Sequence, residues 1–310
     1  MITLGIDTSN YTTSCAVYNS DTGEVIQRKN LLPVKEGEKG IRQSDAVFHH
    51  TAQLHALITD LMQAFDGKID AVGYSDRPRD ADGSYMPCFT VGMNTALSIA
   101  GALRVPAYGF SHQAGHIMAA LYSEGKTELL EKEFIAFHFS GGTTEALYVK
   151  PGKERIFNCE IIGKTLDLNC GQVIDRTGVM LGLSFPCGKE LEALAEKSTR
   201  IFNTRPCLKG SDCCLSGVEN LCADMLRQGE SSEDIAAFCL SYIENTICGM
   251  AEAASDKYPG LPLVFSGGVT SNKAIRNSVQ NKFNAFFAEP VFSCDNAAGT
   301  AILTYERGKQ

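Results

Sequence analysis

Phe134-Ile-Ala-Phe-His-Phe-Ser-Gly-Gly-Thr-Thr-Glu-Ala-Leu-Tyr-Val149 reads as a strand, a small polar turn and a second strand. The chain has already used this device once. Ile2-Thr-Leu-Gly-Ile-Asp7 is an apolar strand, Thr8 to Thr13 a polar turn, and Ser14-Cys-Ala-Val-Tyr18 a second strand. A third strand follows in each copy: Asp21-Thr-Gly23 turns into Glu24 to Arg28, and Pro151-Gly-Lys153 turns into Glu154 to Phe157. The copies stand about 130 residues apart, whereas solenoid repeats recur every ~20–50 residues. Duplicated halves of an α/β protein are therefore expected, divided as residues 1–130 and 131–310. Helical periodicity between the strands supports that class. It predicts helices over His50 to Met62, Val91 to Leu103, Asp175 to Leu181, Gly188 to Glu196, Glu219 to Arg227 and Ser232 to Tyr258. Ala71 to Tyr74 and Leu263 to Phe265 are short strands. The latter feeds Ser266-Gly-Gly-Val-Thr-Ser-Asn272 and a helix through Arg276.

A chain of 310 residues is long enough for two cores. Its mean hydropathy is −0.07, and no apolar run approaches the ~18 residues that span a bilayer. The first residues lack the charged start and apolar stretch of a signal peptide, so a cytoplasmic protein without a membrane partner is expected. The twelve cysteines include no Cys-x-x-Cys pair. Without a secretory signal they read as reduced thiols, several acting as small hydrophobes. A net charge of −8 does not draw the chain as a whole to nucleic acid. Contact with RNA would need a partner subunit or a local patch, for which Arg77-Pro-Arg79 and Arg200, Arg205 and Lys209 are the candidates.

Ser111-His-Gln-Ala-Gly-His116 carries the first sign of chemistry. On a helix from Ser111 to Leu121, with Ser111 as N-cap, His112 and His116 project from one face. Such a pair can hold a divalent metal if a third ligand arrives, and Asp295 is the candidate. Gln113 stands where a zinc peptidase of the His-Glu-x-x-His type keeps its general base, and an amide cannot act as one. A peptidase is therefore not expected. His49, His50 and His55 have poor ligand spacing and read as solvated or core residues. Ser140-Gly-Gly-Thr-Thr144 and Ser266-Gly-Gly-Val-Thr-Ser-Asn272 are junctions where bare backbone can meet phosphate or a nucleotide. Asp167 and Asp175 could each bind a ribose, orient a metal-bound water or cap a helix.

Taken in order, these pieces resemble a known family. Gly5-Ile-Asp-Thr-Ser9, His112-x3-His116, Ser140-Gly-Gly142 with Thr144, Gly163-Lys-Thr-Leu-Asp167, Asp175-Arg-Thr177, Leu181-Gly-Leu183 with Pro186-x-Gly188, Leu215-Ser-Gly217, Ser266-Gly-Gly-Val269 with Asn272, and Asp295-Asn-Ala297 all fall in sequence. The set resembles the TsaD family of tRNA adenosine threonylcarbamoyltransferases, once described as O-sialoglycoprotein endopeptidases. The resemblance implies a two-lobed actin-like ATPase (ASKHA) fold with duplicated ribonuclease-H-like domains. It also implies an acyltransferase moving threonylcarbamoyl from threonylcarbamoyl-AMP to N6 of adenosine 37 in tRNA. One iron or zinc ion would be held by His112, His116 and Asp295. ATP, AMP or the acyl-adenylate, with magnesium, would meet His138, Phe139, Ser140, Gly141, Gly142, Asp175, Gly188, Gly267, Gly268 and Asn272. Implied partners are tRNA, a second copy or a related actin-like subunit, and an ATPase accessory protein.

The chain departs from the family pattern at several points. Tyr11 and Thr12 replace an Asp-Glu pair, and Thr143 replaces His or Asn. An acidic run is reduced to Asp167-Leu-Asn-Cys-Gly-Gln172, and a basic Arg-Pro-Arg-Trp-like tail is missing. Asp7, Thr12 and Thr143 are the catalytic candidates. The departures leave open a divergent paralog that serves another acceptor, and a non-catalytic nucleotide-binding partner subunit.

Overall fold

A computed structural model describes residues 1–9, 11–33, 41–152 and 155–310. Asn10, Lys153 and Glu154, which the sequence pattern assigns to turns and a strand, lie outside the described residues. The chain forms two compact units. One holds Met1–Glu131, Pro151–Asn158 and Val291–Gln310; the other holds Lys132–Lys150 and Cys159–Pro290.

In the first unit, β1 (Ile2–Ser9), β2 (Thr12–Asn19) and β3 (Glu24–Leu31) make an antiparallel meander. β4 (Ala71–Arg77) joins β1 in parallel and β5 (Ala107–Ser111) joins β4, giving the order β3-β2-β1-β4-β5. Leu4, Ile6, Val17 and Val72 pack one face against Leu54 and Leu61 of α1 (Gln43–Gln63) and Ala96 and Ala100 of α2 (Phe89–Leu103). The same unit carries α3 (His112–Ser123), α9 (Pro290–Ser293) except Pro290, and α10 (Ala298–Gly308). Thr3 donates to the Ala301 carbonyl at 2.7 Å, tying β1 to α10. Those contacts are why the C-terminal helix groups with the first unit, although the sequence pattern divides the chain at 130/131.

The second unit repeats the arrangement. β6 (Phe134–Phe139), β7 (Thr144–Pro151) and β8 (Phe157–Lys164) are followed by β11 (Leu263–Ser266) and β12 (Ala285–Phe287), in the order β12-β11-β6-β7-β8. Read from β8, this is the order of the first sheet, again with an antiparallel β6–β7 pair and parallel β6–β11 and β11–β12 pairs. Phe265 sits opposite both Phe137 and Phe287 in register, and each pair of rings stacks at 4.6 Å. Apolar burial of three aromatics in one row holds the central strands together. The core is closed by α4 (Cys170–Met180), α5 (Gly188–Ala195), α6 (Ser216–Arg227), α7 (Ser232–Lys257) and α8 (Lys273–Gln280). A hairpin of β9 (Cys207–Lys209) and β10 (Asp212–Cys214) precedes α6.

Boundaries moved where local chemistry outweighed apolar periodicity. The helix expected from Asp175 begins at Cys170, because Asn169 and Gln172 form a capping box. The strand expected over Glu154 to Phe157 instead runs Phe157–Lys164. No described helix is long and apolar enough to cross a membrane.

His50 is a core residue. It is fully buried, with Nδ1 2.8 Å from the Thr13 hydroxyl. Burial disfavours its charged form and pushes its pKa down to about 4, against the pull of Asp7. The folded value lies below the unfolded one, so its stabilisation is present above pH 6.5 and lost as pH falls toward 4. Between about pH 7.5 and about pH 5 this single group should cost about 2 kcal/mol of stability. Urea unfolding of wild type and His50→Gln at both pH values checks it. The two proteins showing the same pH dependence would refute the assignment.

Candidate functional site

Ser111 caps α3 as the sequence predicts, its hydroxyl accepting from the Ala114 N–H at 3.1 Å. That cap starts the helix so that His112 and His116 share one face. Their Nε2 atoms lie 3.0 Å apart. The third member arrives from the loop before α10. Asp295 Oδ1 stands 3.2 Å from His116 Nε2 and 3.5 Å from His112 Nε2. The close approach of two helices brings it there: a Cβ on Gly299 of α10 would collide with the Gly115 carbonyl of α3. Among the described residues, this trio is the group of His, Cys, Asp or Glu atoms close enough to hold an ion.

Asp7 completes the arrangement from the end of β1. Its Oδ2 lies 2.8 Å from His112 Nδ1 and accepts from the Ser75 hydroxyl, while Oδ1 accepts from the Ser9 N–H at 2.9 Å. A carboxylate on the far nitrogen fixes the ring and aims Nε2 inward, as in metal-binding histidines. Asp7 is only 1% exposed. Its buried carboxylate is taken up by His112, Ser75 and the Ser9 N–H. Thr12, another catalytic candidate, donates to Asp295 Oδ2 at 3.4 Å.

The charges fit a cation. Burial opposes a proton on His112, but Asp7 and Asp295 outweigh it and push its pKa up to about 10. Burial and the neighbouring His112 push His116 down. Burial would raise both carboxylates, yet the histidines hold Asp7 and Asp295 below the usual range. The two carboxylates thus favour positive charge on or beside the imidazoles. Two imidazole nitrogens and a carboxylate oxygen are a donor set that suits iron or zinc.

The expected nucleotide residues lie in the second unit, in two groups linked by α4. In the first, Ser140 Oγ accepts from the N–H groups of Gly142 at 3.3 Å and Thr143 at 3.1 Å. The Gly171 N–H of α4 donates to the Ser140 carbonyl at 3.1 Å. Gly267 presses against the Phe139 backbone, and Ser266 Oγ lies 2.9 Å from His138 Nδ1 while donating to the Phe137 carbonyl. Ser266 spends its proton there, so His138 donates through Nδ1. Nothing lies within 4 Å of where a Cβ would sit on Gly141, Gly142, Gly188 or Gly268.

In the second group, both aspartates that the sequence singles out accept from backbone N–H groups at helix starts. Asp175 accepts from the Cys187 N–H at 2.8 Å, at the start of α5. Burial raises its pKa against that hydrogen bond. Asp167 accepts from the N–H groups of Leu215 at 2.7 Å and Ser216 at 3.2 Å, and so holds the start of α6. Asn272 likewise caps α8 through the Ile275 N–H at 3.1 Å. The sequence offers capping for both aspartates but not the partners, which lie far along the chain or depend on helix phase.

One arginine of each expected basic patch is ion-paired. Arg77 pairs with Asp76 and Asp80, and Arg200 with Glu230 and Asp234.

With this geometry in view, comparison with known proteins gives two findings. The model of the family described as TsaD, tRNA N6-adenosine threonylcarbamoyltransferase, matches residues 24–302. Among solved structures, component A of (R)-2-hydroxyglutaryl-CoA dehydratase from Acidaminococcus fermentans is 17% identical, with TM-score 0.59 and both chains fully covered. A ROK family glucokinase from Streptomyces griseus is 10% identical with TM-score 0.55, covering 99% of this chain and 100% of its own. Full-length HypF is 12% identical with TM-score 0.63, the match taking in all of this chain and 47% of HypF. These likenesses establish the actin-like ATPase (ASKHA) fold.

Proposed function

We propose, from the premise that this chain belongs to the TsaD family of tRNA N6-adenosine threonylcarbamoyltransferases, that it transfers threonylcarbamoyl from threonylcarbamoyl-AMP to N6 of adenosine 37 in tRNA. The match across residues 24–302 carries the reading. His112, His116 and Asp295 would hold one iron or zinc ion, which when bound supplies a Lewis acid and a template for the acyl carbonyl. Asp7 keeps its proton bond to His112 Nδ1 and so presents Nε2 to the site. Ser140 has both acceptor positions filled by backbone N–H groups, which leaves its hydroxyl proton to donate to a ligand oxygen. Gly141, Gly142, Gly188 and Gly268 keep the backbone bare where phosphate and adenine approach. The same fold accommodates AMPPNP in the glucokinase, which supports a nucleotide or adenylate here. The N6 amine attacks the carbonyl carbon and gives up one proton to solvent, the bond to the phosphate oxygen breaks, and AMP leaves. With a net charge of −8, and with Arg77 and Arg200 ion-paired, the chain relies on a partner subunit for much of the cationic surface that tRNA needs.

The test is to deplete the host's own enzyme and measure threonylcarbamoyladenosine in tRNA with and without this chain. Restored modification is expected. No restoration, with the usual partner proteins supplied, would sink the reading.

One observation favours a second reading, in which the carbamoyl-adenylate serves another acceptor. Thr12 holds Asp295 with a hydroxyl at a position where the family carries an acidic residue. A hydroxyl does not take a proton near neutral pH, whereas a carboxylate can. Under this reading, wild type transfers poorly to unmodified tRNA in vitro, and Tyr11→Asp with Thr12→Glu raises transfer. Robust modification by the wild type would remove the second reading.

A further inference from the structure

We propose that Cys207 and Cys214 form a dithiol that a low-molecular-weight disulfide closes into a cross-strand disulfide. The two residues face each other directly in the β9–β10 ladder, whose register pairs Cys214 with Cys207 and Cys213 with Leu208. Directly opposed residues of an antiparallel pair have Cα atoms about 4.5–5.5 Å apart, inside the ~4.4–6.8 Å that a disulfide spans. Their side chains leave the same face of the hairpin. The opposite face is taken: Cys213 is fully buried, and Leu208 packs on Gly249 of α7. Cys207 is exposed and Cys214 half-buried, and the Cys207 thiol is near enough to raise the pKa of Cys214.

The order of events follows from exposure. Cys207 meets the oxidant first, its thiolate attacking one sulfur of the disulfide RSSR and expelling RS⁻. Burial and the neighbouring sulfur hold the Cys214 thiol above its usual pKa, so it acts second. It displaces the remaining RS⁻ from Cys207 and loses its proton. The two cysteines together lose two electrons and two protons, and RSSR becomes two RSH. Most other thiols cannot compete, since burial pushes Cys15, Cys88 and Cys213 up to about 12 and Cys187 to about 11. The modification would bear on the second unit, because β10 runs straight into Leu215 and Ser216, which Asp167 holds.

Incubation of the full chain with oxidised glutathione, then alkylation, digestion and mass spectrometry, tests this without any variant. A peptide pair linked through Cys207 and Cys214 is expected, lighter by two hydrogen atoms and restored by dithiothreitol. Cys214→Ser should abolish the link and retain glutathione on Cys207. Cys294→Ser and Cys159→Ser should leave the link unchanged. Stable glutathione on Cys207 of the wild type, a link to Cys213, or two unmodified thiols would each overturn the proposal.

Discussion

If the trio holds one ion as proposed, Asp295→Ala is expected to release most of it, and His112→Ala to do the same. Each removes one of three protein ligands: Asp295→Ala leaves two imidazoles on one helix with no carboxylate to balance the cation, and His112→Ala leaves one imidazole and one carboxylate. Asp7→Asn should give a smaller loss, roughly 10- to 100-fold in affinity, because it removes the charge behind His112 but no ligand. In the metal-free chain His112 keeps a proton up to about pH 10. Binding of zinc near neutral pH should therefore release about one proton. Elemental analysis of the purified variants reads the first expectation. Calorimetry of zinc binding in buffers of different ionisation enthalpy reads the proton. Full metal content in both ligand variants would rule the site out.

Two glycines of the second unit are expected to fail in opposite ways. Gly267 has φ +94° and ψ 152°, a backbone region essentially closed to other residues. A Cβ there would also land on the Phe139 carbonyl. Gly267→Ala should cost about 3 kcal/mol or more of folding stability. Gly141 has nothing within 4 Å of its Cβ position. Gly141→Val should thus fold normally but weaken ATP or AMP binding at least tenfold, about 1.4 kcal/mol. Denaturant unfolding and calorimetry separate the two effects. If Gly141→Val binds nucleotide as wild type does, the Ser140 loop is not part of the nucleotide site. If Gly267→Ala is as stable as wild type, the strain argument is wrong.

The sequence by itself determined the duplicated strand cassettes, most helices and the pairing of His112 with His116. These are local properties. Alternation and helical spacing mark which residues can face a core, and Ser111 announces its own helix start. The sequence also supplied the family through short motifs in a fixed order. Only the tertiary structure decided what those residues touch. Asp295 reaches His112 because Gly115 and Gly299 let α3 and α10 touch backbone to backbone, a contact with no local signature. Asp7 looked like a catalytic candidate and stands behind His112, since β1 ends beneath the start of α3. Asp167 and Asp175 hold the N-terminal ends of α6 and α5, and α10 joined the first unit against the division at residue 130. Spacing along the chain encodes which face a side chain takes. Packing between elements distant in sequence decides what that face meets.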